Sequence, residues 1–254
     1  MTAGGDEDEE HDSGGAGEGS RGDSMAEGQR SHGGTPAPPP ESRREDLDRL
    51  HVDLAAAFVR GRLALDEPDD EAAVLRGKAE GLRVHRYKRT TLPRVKRVVG
   101  ALRALAPTDL LDAGSGRGTF LWALLDAFPH LEVLSIDLEP IRVRDLEAMR
   151  RGGITRLRAR LGDVQALDLE DGAFDGATAL ELLEHVVDPA RAARELLRVA
   201  RRFVVASVPS QKDDNPEHLR LFSADDLTRL FLDAGARRVS LDHVLDHRIA
   251  LVFK

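Results

Sequence analysis

The segment Asp109-Leu110-Leu111-Asp112-Ala113-Gly114-Ser115-Gly116-Arg117-Gly118-Thr119-Phe120 limits the folds open to this chain more than any other. An apolar run ends in three glycines at alternate positions, and a second apolar run follows. The pattern is that of a strand, a tight turn and a helix. Glycine in the turn permits positive φ and lets a ligand come close to the backbone. The helix that follows aims its free N–H groups and the positive end of its dipole into the turn. The product is a site for an anionic or polar ligand at the C-terminal edge of a sheet. A dinucleotide-binding turn, Gly-x-Gly-x-x-Gly, would place its third glycine at position 119. Here position 119 is Thr and the third glycine is Gly118, which disfavours an NAD-dependent oxidoreductase.

Strand and helix patterns alternate from this segment onward, which argues for a parallel α/β sheet. Strands are expected at Asp109–Ala113, Leu131–Ile136, about Thr155–Leu161, Phe174–Leu180 and Phe203–Val208. Helices are expected over roughly Gly118–Phe128, from Pro140 to before Gly152, from Pro189 behind the cap Asp188, and from Ser223 to Gly235. Ser223 with Asp226 three residues on is close to a capping box. Val239–Val244 and Ile249–Phe253 should pair antiparallel across their short connection. Upstream, Leu47, Leu50, Leu54, Ala57 and Phe58 give Arg44–Leu65 helical spacing, and a second helix should run from Glu71 towards Gly81.

Charge is unevenly placed. Ten carboxylates and two arginines precede residue 43, which leaves 35 charges of each sign in the rest, so residues 1–42 carry the whole net charge of −8. That stretch is rich in Gly, Ser and acids and closes on Pro36-Ala37-Pro38-Pro39-Pro40. It is expected to be a disordered tail, for it has too little apolar surface to offset ordering entropy. Gly81–Thr108 contains no acid but many arginines and lysines, and reads as a solvated helix face or an anion-binding lip. Cys is absent, which excludes a thiolate metal site, a disulfide framework and a Cys nucleophile. There is no membrane-length apolar run and no apolar signal region at the start, so the expectation is a cytoplasmic protein without a membrane partner.

The Gly-x-Gly-x-Gly turn with Asp112 two residues before it resembles motif I of the class I S-adenosylmethionine-dependent methyltransferases. That resemblance covers about 92–254. It implies an α/β, Rossmann-like seven-stranded sheet with an antiparallel C-terminal hairpin. Residues 43–91 would add a helical cap and basic segment before the domain. It also implies that Asp112, Gly114, Gly116 and Gly118 meet the cofactor. Asp137, at the end of the second strand, offers a carboxylate to both ribose hydroxyls of an adenosine ligand. Gly162-Asp163-Val164 is similar to the family segment in which the acid (here Asp163) accepts from the adenine amino group and the next residue (Val164) packs on the ring.

Glu181-Leu182-Leu183-Glu184-His185 follows the fourth strand. In a helical turn Glu181, Glu184 and His185 would share one face at i, i+3 and i+4, a donor set for Mg²⁺ or Mn²⁺. The run resembles the metal-binding segment of small-RNA 3′-end ribose methyltransferases and of ubiquinone-pathway O-methyltransferases. The RNA enzymes add a second His after the fifth strand, where His218 lies, but the sequence around His218 is closer to the generic small-molecule pattern. Without a metal, His185 or His218 serves as base or substrate contact. His243 and His247 read as hairpin residues without a role. The resemblance thus implies methyl transfer from S-adenosylmethionine to a small-molecule acceptor at oxygen. An RNA ribose 2′-O-methyltransferase is the alternative, and a non-catalytic cofactor-binding module is the alternative of another class.

Overall fold

The computed structural model describes residues 47–90, 92–212 and 214–254. The acidic tail expected to be disordered lies outside them. Five parallel strands form most of the sheet: β1 (Asp109–Ala113), β2 (Glu132–Asp137), β3 (Leu157–Leu161), β4 (Phe174–Leu180) and β5 (Ala200–Pro209). β6 (Arg238–Val244) and β7 (His247–Phe253) complete it in the order β3-β2-β1-β4-β5-β7-β6. β7 inserts antiparallel between β5 and β6. The seven strands and the C-terminal hairpin are those the sequence implies.

Strand order reverses at β1, which pairs with β2 on one side and β4 on the other. The crevice above such a reversal is where open α/β sheets bind ligands. β1 is apolar on both faces because both are covered. Leu110 faces one core and Leu111 the other, and neither is exposed. One layer holds α1 (Val52–Leu63), α2 (Asp70–Ala79), α3 (Pro93–Leu105), α4 (Thr119–Ala127) and α5 (Pro140–Arg151). The other holds α6 (Pro189–Val199) and α7 (Ala224–Asp233). Asp188 caps α6, and Ser223 with Asp226 forms a full capping box on α7. Among the described residues no helix is long and apolar enough to cross a membrane.

The helical spacing of 44–65 does not give one helix. Leu50 makes an antiparallel bridge to Lys88, and the His51 N–H donates to the Tyr87 carbonyl at 2.8 Å. Those tertiary bonds take the backbone out of helix, so α1 starts at Val52. They also fix the basic segment. Tyr87 packs between Phe58 and Trp122, with ring centroids 5.3 and 4.8 Å away. The Trp122 Nε1–H donates to the Arg86 carbonyl at 3.0 Å, and Arg86 and Arg62 both grip the buried Asp145 at 2.8 and 2.9 Å. The cap is therefore keyed to α4 and α5, the two helices that flank the glycine turn.

Small residues let α1 and α5 touch backbone to backbone. A Cβ placed on Gly61 would stand 1.8 Å from the Ala148 carbonyl oxygen. Alanine normally favours a helix over glycine by about 1 kcal/mol. At this contact the sign reverses, and Gly61→Ala is expected to destabilise the protein by about 1–3 kcal/mol through overpacking. A thermal melt checks this: at about 2–4 °C per kcal/mol for a domain of this size the loss is visible. An equal or higher Tm would contradict the contact.

Candidate functional site

The glycine turn is built for backbone exposure. The Gly114 N–H donates to the Ile136 carbonyl at 2.7 Å, tying the turn to β2. Gly118 caps α4 at φ 81°, and a Cβ there would fall 2.0 Å from the Trp122 ring. Gly116 sits at φ 56°, but a Cβ there would meet no protein atom closer than 3.8 Å. Packing thus explains glycine at 118, whereas at 116 the space beside the backbone is left for something else. That space is a cleft of about 410 Å³ lined by Gly114, Gly116, Asp137, Gly162, Val164 and His185, among others.

Asp137 is 4% exposed at the cleft floor. Its Oδ2 accepts from the Gly116 N–H at 3.1 Å and its Oδ1 from the Glu139 N–H at 2.9 Å, and Arg142 stands at 3.3 Å. One carboxylate therefore holds the turn, the entry to α5 and an arginine. Asp163 takes a different part from Val164. It closes a turn on itself, accepting from the Gln165 backbone N–H at 2.9 Å and the Gln165 side-chain amide at 3.1 Å, while Gly162 and Val164 line the cleft. Sequence reasoning passed over Leu138, Glu139 and Arg142, which also line it. Their signal was adjacency to Asp137.

Asp112 lies beneath the turn, 2% exposed. The Thr178 hydroxyl donates to its Oδ1 at 2.7 Å, and its Oδ2 is buried with no hydrogen-bond partner. Burial, helped by the charge of Asp137 and opposed by the Thr178 bond, pushes its carboxyl up to about 7.

On the far side of the cleft the expected helical face does not form. Residues 181–187 make turns, and Glu181 adopts φ 54° at the end of β4. Its carboxylate accepts from the Ser207 hydroxyl at 2.6 Å and pairs with His247 Nε2 at 3.0 Å. Glu181 is thus turned to β5 and β7, away from the set expected for it, and His247 is more than a hairpin residue. Glu184, His185 and His218 come together instead, with ligand atoms within 4.8 Å of one another. Bonds to backbone carbonyls of 184–187 do this. The Leu219 N–H donates to the Glu184 carbonyl at 2.9 Å, and Arg220 donates to the Val186 and Val187 carbonyls. His185 Nδ1 lies 3.0 Å from the Glu217 carbonyl oxygen, which only accepts, so Nδ1 carries the proton and Nε2 is the basic nitrogen. The His185 and His218 rings meet edge to face at 4.8 Å. His185 also lines a second cavity of about 490 Å³, with Arg94, Phe120, Glu181 and Ser207.

A family model described as a methyltransferase domain matches residues 111–203, the span that carries the turn, Asp137 and His185. Those residues are similar to a methyltransferase domain of the S-adenosylmethionine-dependent kind. Over 137 residues it is 31% identical to a probable S-adenosylmethionine-dependent methyltransferase of Mycobacterium tuberculosis, a match covering 50% of this chain and 48% of that one. Over 104 residues it is 33% identical to the ubiquinone biosynthesis O-methyltransferase of Methylococcus capsulatus, covering 41% and 43%. The chain spans less than half the length of these curated relatives. Among solved structures, a putative O-methyltransferase from Nostoc punctiforme shares the fold with a TM-score of 0.53 at 16% identity, covering 63% of this chain and 56% of that one. In such a methyltransferase domain S-adenosylmethionine is the expected ligand, and the cleft suits it. Gly116 leaves room at the backbone, Asp137 puts a carboxylate at the cleft floor, and the Oδ2 of Asp112 is buried without a hydrogen-bond partner.

Asp112 gives a pH test of this geometry. Folded, it keeps its proton to about pH 7, whereas unfolded it releases it near 3.8. Its contribution to stability is therefore full below the unfolded value and lost as pH rises through about 7. Asp112→Asn is expected to melt progressively higher than the wild type on going from about pH 5 to about pH 8. Taking the difference between the two proteins cancels the titration of groups that do not interact with Asp112. A difference that does not change with pH would contradict the buried carboxyl.

Proposed function

We propose that this chain transfers a methyl group from S-adenosylmethionine to a hydroxyl of a small-molecule acceptor. The observation that carries the reading is the place of His185, which lines both the glycine-turn cleft and the adjoining cavity. Gly114, Gly116, Gly118 and Asp112 would hold the methionine side of the cofactor, and Asp137 its ribose hydroxyls. Gly162, Asp163 and Val164 would form the adenine side. When bound, the cofactor supplies an electrophilic methyl group on a sulfonium sulfur. The chain's own work is to position the acceptor and to take its proton. Positioning and exclusion of water account for much of the catalysis of such a displacement. The Nε2 of His185 is the proton acceptor, oriented by the bond from Nδ1–H to the Glu217 carbonyl. His218, edge-on to it, is the second candidate for this role or for substrate contact. The relative named for ubiquinone biosynthesis is an O-methyltransferase, which supports oxygen as the acceptor atom.

One observation favours a second reading with a metal. Glu184, His185 and His218 present one carboxylate and two imidazoles, a fitting donor set for Mg²⁺ or Mn²⁺. Donors bonded at about 2.1 Å stand at most about 4.2 Å apart, which is close to the spacing of this group. Bound there, an ion would lower the pKa of the acceptor hydroxyl. Glu181, turned to Ser207 and His247, would not reach it. An RNA ribose acceptor rests on this ion.

The test is turnover of labelled cofactor against cell extract split into small-molecule and RNA fractions. Methyl transfer is expected in the small-molecule fraction. His185→Gln is expected to lower turnover by about 10²-fold or more, with S-adenosylhomocysteine affinity within about threefold of wild type. Full turnover by His185→Gln would overturn the assigned role. Excess chelator separates the two readings: unchanged activity removes the ion, and loss restored by Mg²⁺ or Mn²⁺ establishes it.

A further inference from the structure

Beside the cofactor cleft lies a third cavity, of about 630 Å³, whose lining is strongly basic. Six arginine and lysine side chains face it against one carboxylate, that of Glu139. Three of the six already serve the fold. Arg86 binds Asp145, Arg89 donates to the Leu50 carbonyl, and Arg142 binds Asp137. The other three, Arg83, Lys88 and Arg117, are exposed and, among the described residues, no group pairs with their side chains. α4 starts at the same wall. Its first turn has no acid and its cap, Gly118, has no side chain, so its positive end is left uncompensated. Cations held beside an open cavity by a rigid scaffold form a site for an anion rather than a solvated helix face.

The cavity is continuous with the chemistry. Arg117 and Arg142 line it, the cofactor cleft and the His185 cavity alike, and Thr119 lines both it and the His185 cavity. A molecule anchored here by its anionic end would extend a hydroxyl towards His185. Among the described residues the lining has no Phe, Tyr or Trp and only the one imidazole of His85, and the two aromatics behind it, Tyr87 and Trp122, are only 3% and 4% exposed. Single-stranded nucleic acid needs stacking platforms, so the wall suits a compact anion better than a polynucleotide. The volume fits a phosphorylated small molecule.

We propose that the cleft formed by Arg83, Lys88 and Arg117 binds the phosphate or diphosphate group of a phosphorylated small-molecule acceptor. The role as an acceptor anchor rests on the methyl-transfer reading above, whereas the binding itself does not. The experiment is calorimetric titration of the full chain with inorganic pyrophosphate and, on the same sample, with S-adenosylhomocysteine. The comparison protein is Arg83→Gln/Lys88→Gln, with Arg83→Glu/Lys88→Glu as a stronger version. These are exposed side chains outside the cofactor cleft, and melting curves verify that both variants fold. Pyrophosphate is expected to bind the wild type, about tenfold or more weaker in the first variant and undetectably in the second. S-adenosylhomocysteine affinity is expected to stay within about twofold in all three.

Absence of pyrophosphate binding to the wild type, or equal binding to all three proteins, overturns the site. A single-stranded RNA oligonucleotide that binds where pyrophosphate does not, with affinity falling steeply between about 50 and 200 mM salt, overturns the small-molecule assignment. Pyrophosphate binding lost in the variants, in a protein that fails to bind S-adenosylhomocysteine, supports the anion site and sinks the methyl-transfer reading instead.

Discussion

One carboxylate joins the parts of this molecule that make it a site. Asp137 accepts from the Gly116 N–H in the turn after β1 and from the Glu139 N–H at the start of α5, and it pairs with Arg142. Charge-assisted bonds of this kind are among the stronger ones, and here they lie at the floor of the cleft. They fix the distance between the first two βα units. The exposed backbone of Gly116, the lining of the cofactor cleft and the arginine shared with the basic cavity all take their places from that one group. Asp112 lies nearby, buried and raised to about 7, so that a second carboxylate does not oppose the first with a full charge.

The cap belongs to this arrangement rather than standing apart. The stack of Phe58, Tyr87 and Trp122 joins α1 and the basic segment to α4, and Asp145 holds Arg62 and Arg86 onto α5. These contacts lie within a core of side chains shared with the sheet. Their consequence is functional: the basic wall is presented at the mouth of the turn by well-packed residues, with little of its position left to loop motion.

What was legible in the sequence was what local chemistry dictates. Strand edges, the caps at Asp188 and Ser223, the glycine turn and Asp137 all follow from turn residues, periodicity and the place of an acid at a strand end. Tertiary pairings were out of reach. Nothing near Leu50 signals its bridge to Lys88, which ends the helical pattern of 44–65 early. The positive φ of Glu181 turned that residue to Ser207 and His247, although its spacing to His185 reads as one helical face. His218 reached His185 through the bond from Leu219 to Glu184, across more than 30 residues of chain. A reading by spacing along one element sees only partners on that element, and this cluster is assembled from two.

The central claim is that the glycine turn with Asp137 forms an S-adenosylmethionine site rather than a dinucleotide site. The direct measurement is calorimetry of the wild-type chain with S-adenosylhomocysteine and, separately, with NAD. The account predicts one equivalent of S-adenosylhomocysteine bound and no heat from NAD. Saturable binding of NAD, with none of S-adenosylhomocysteine, would contradict it.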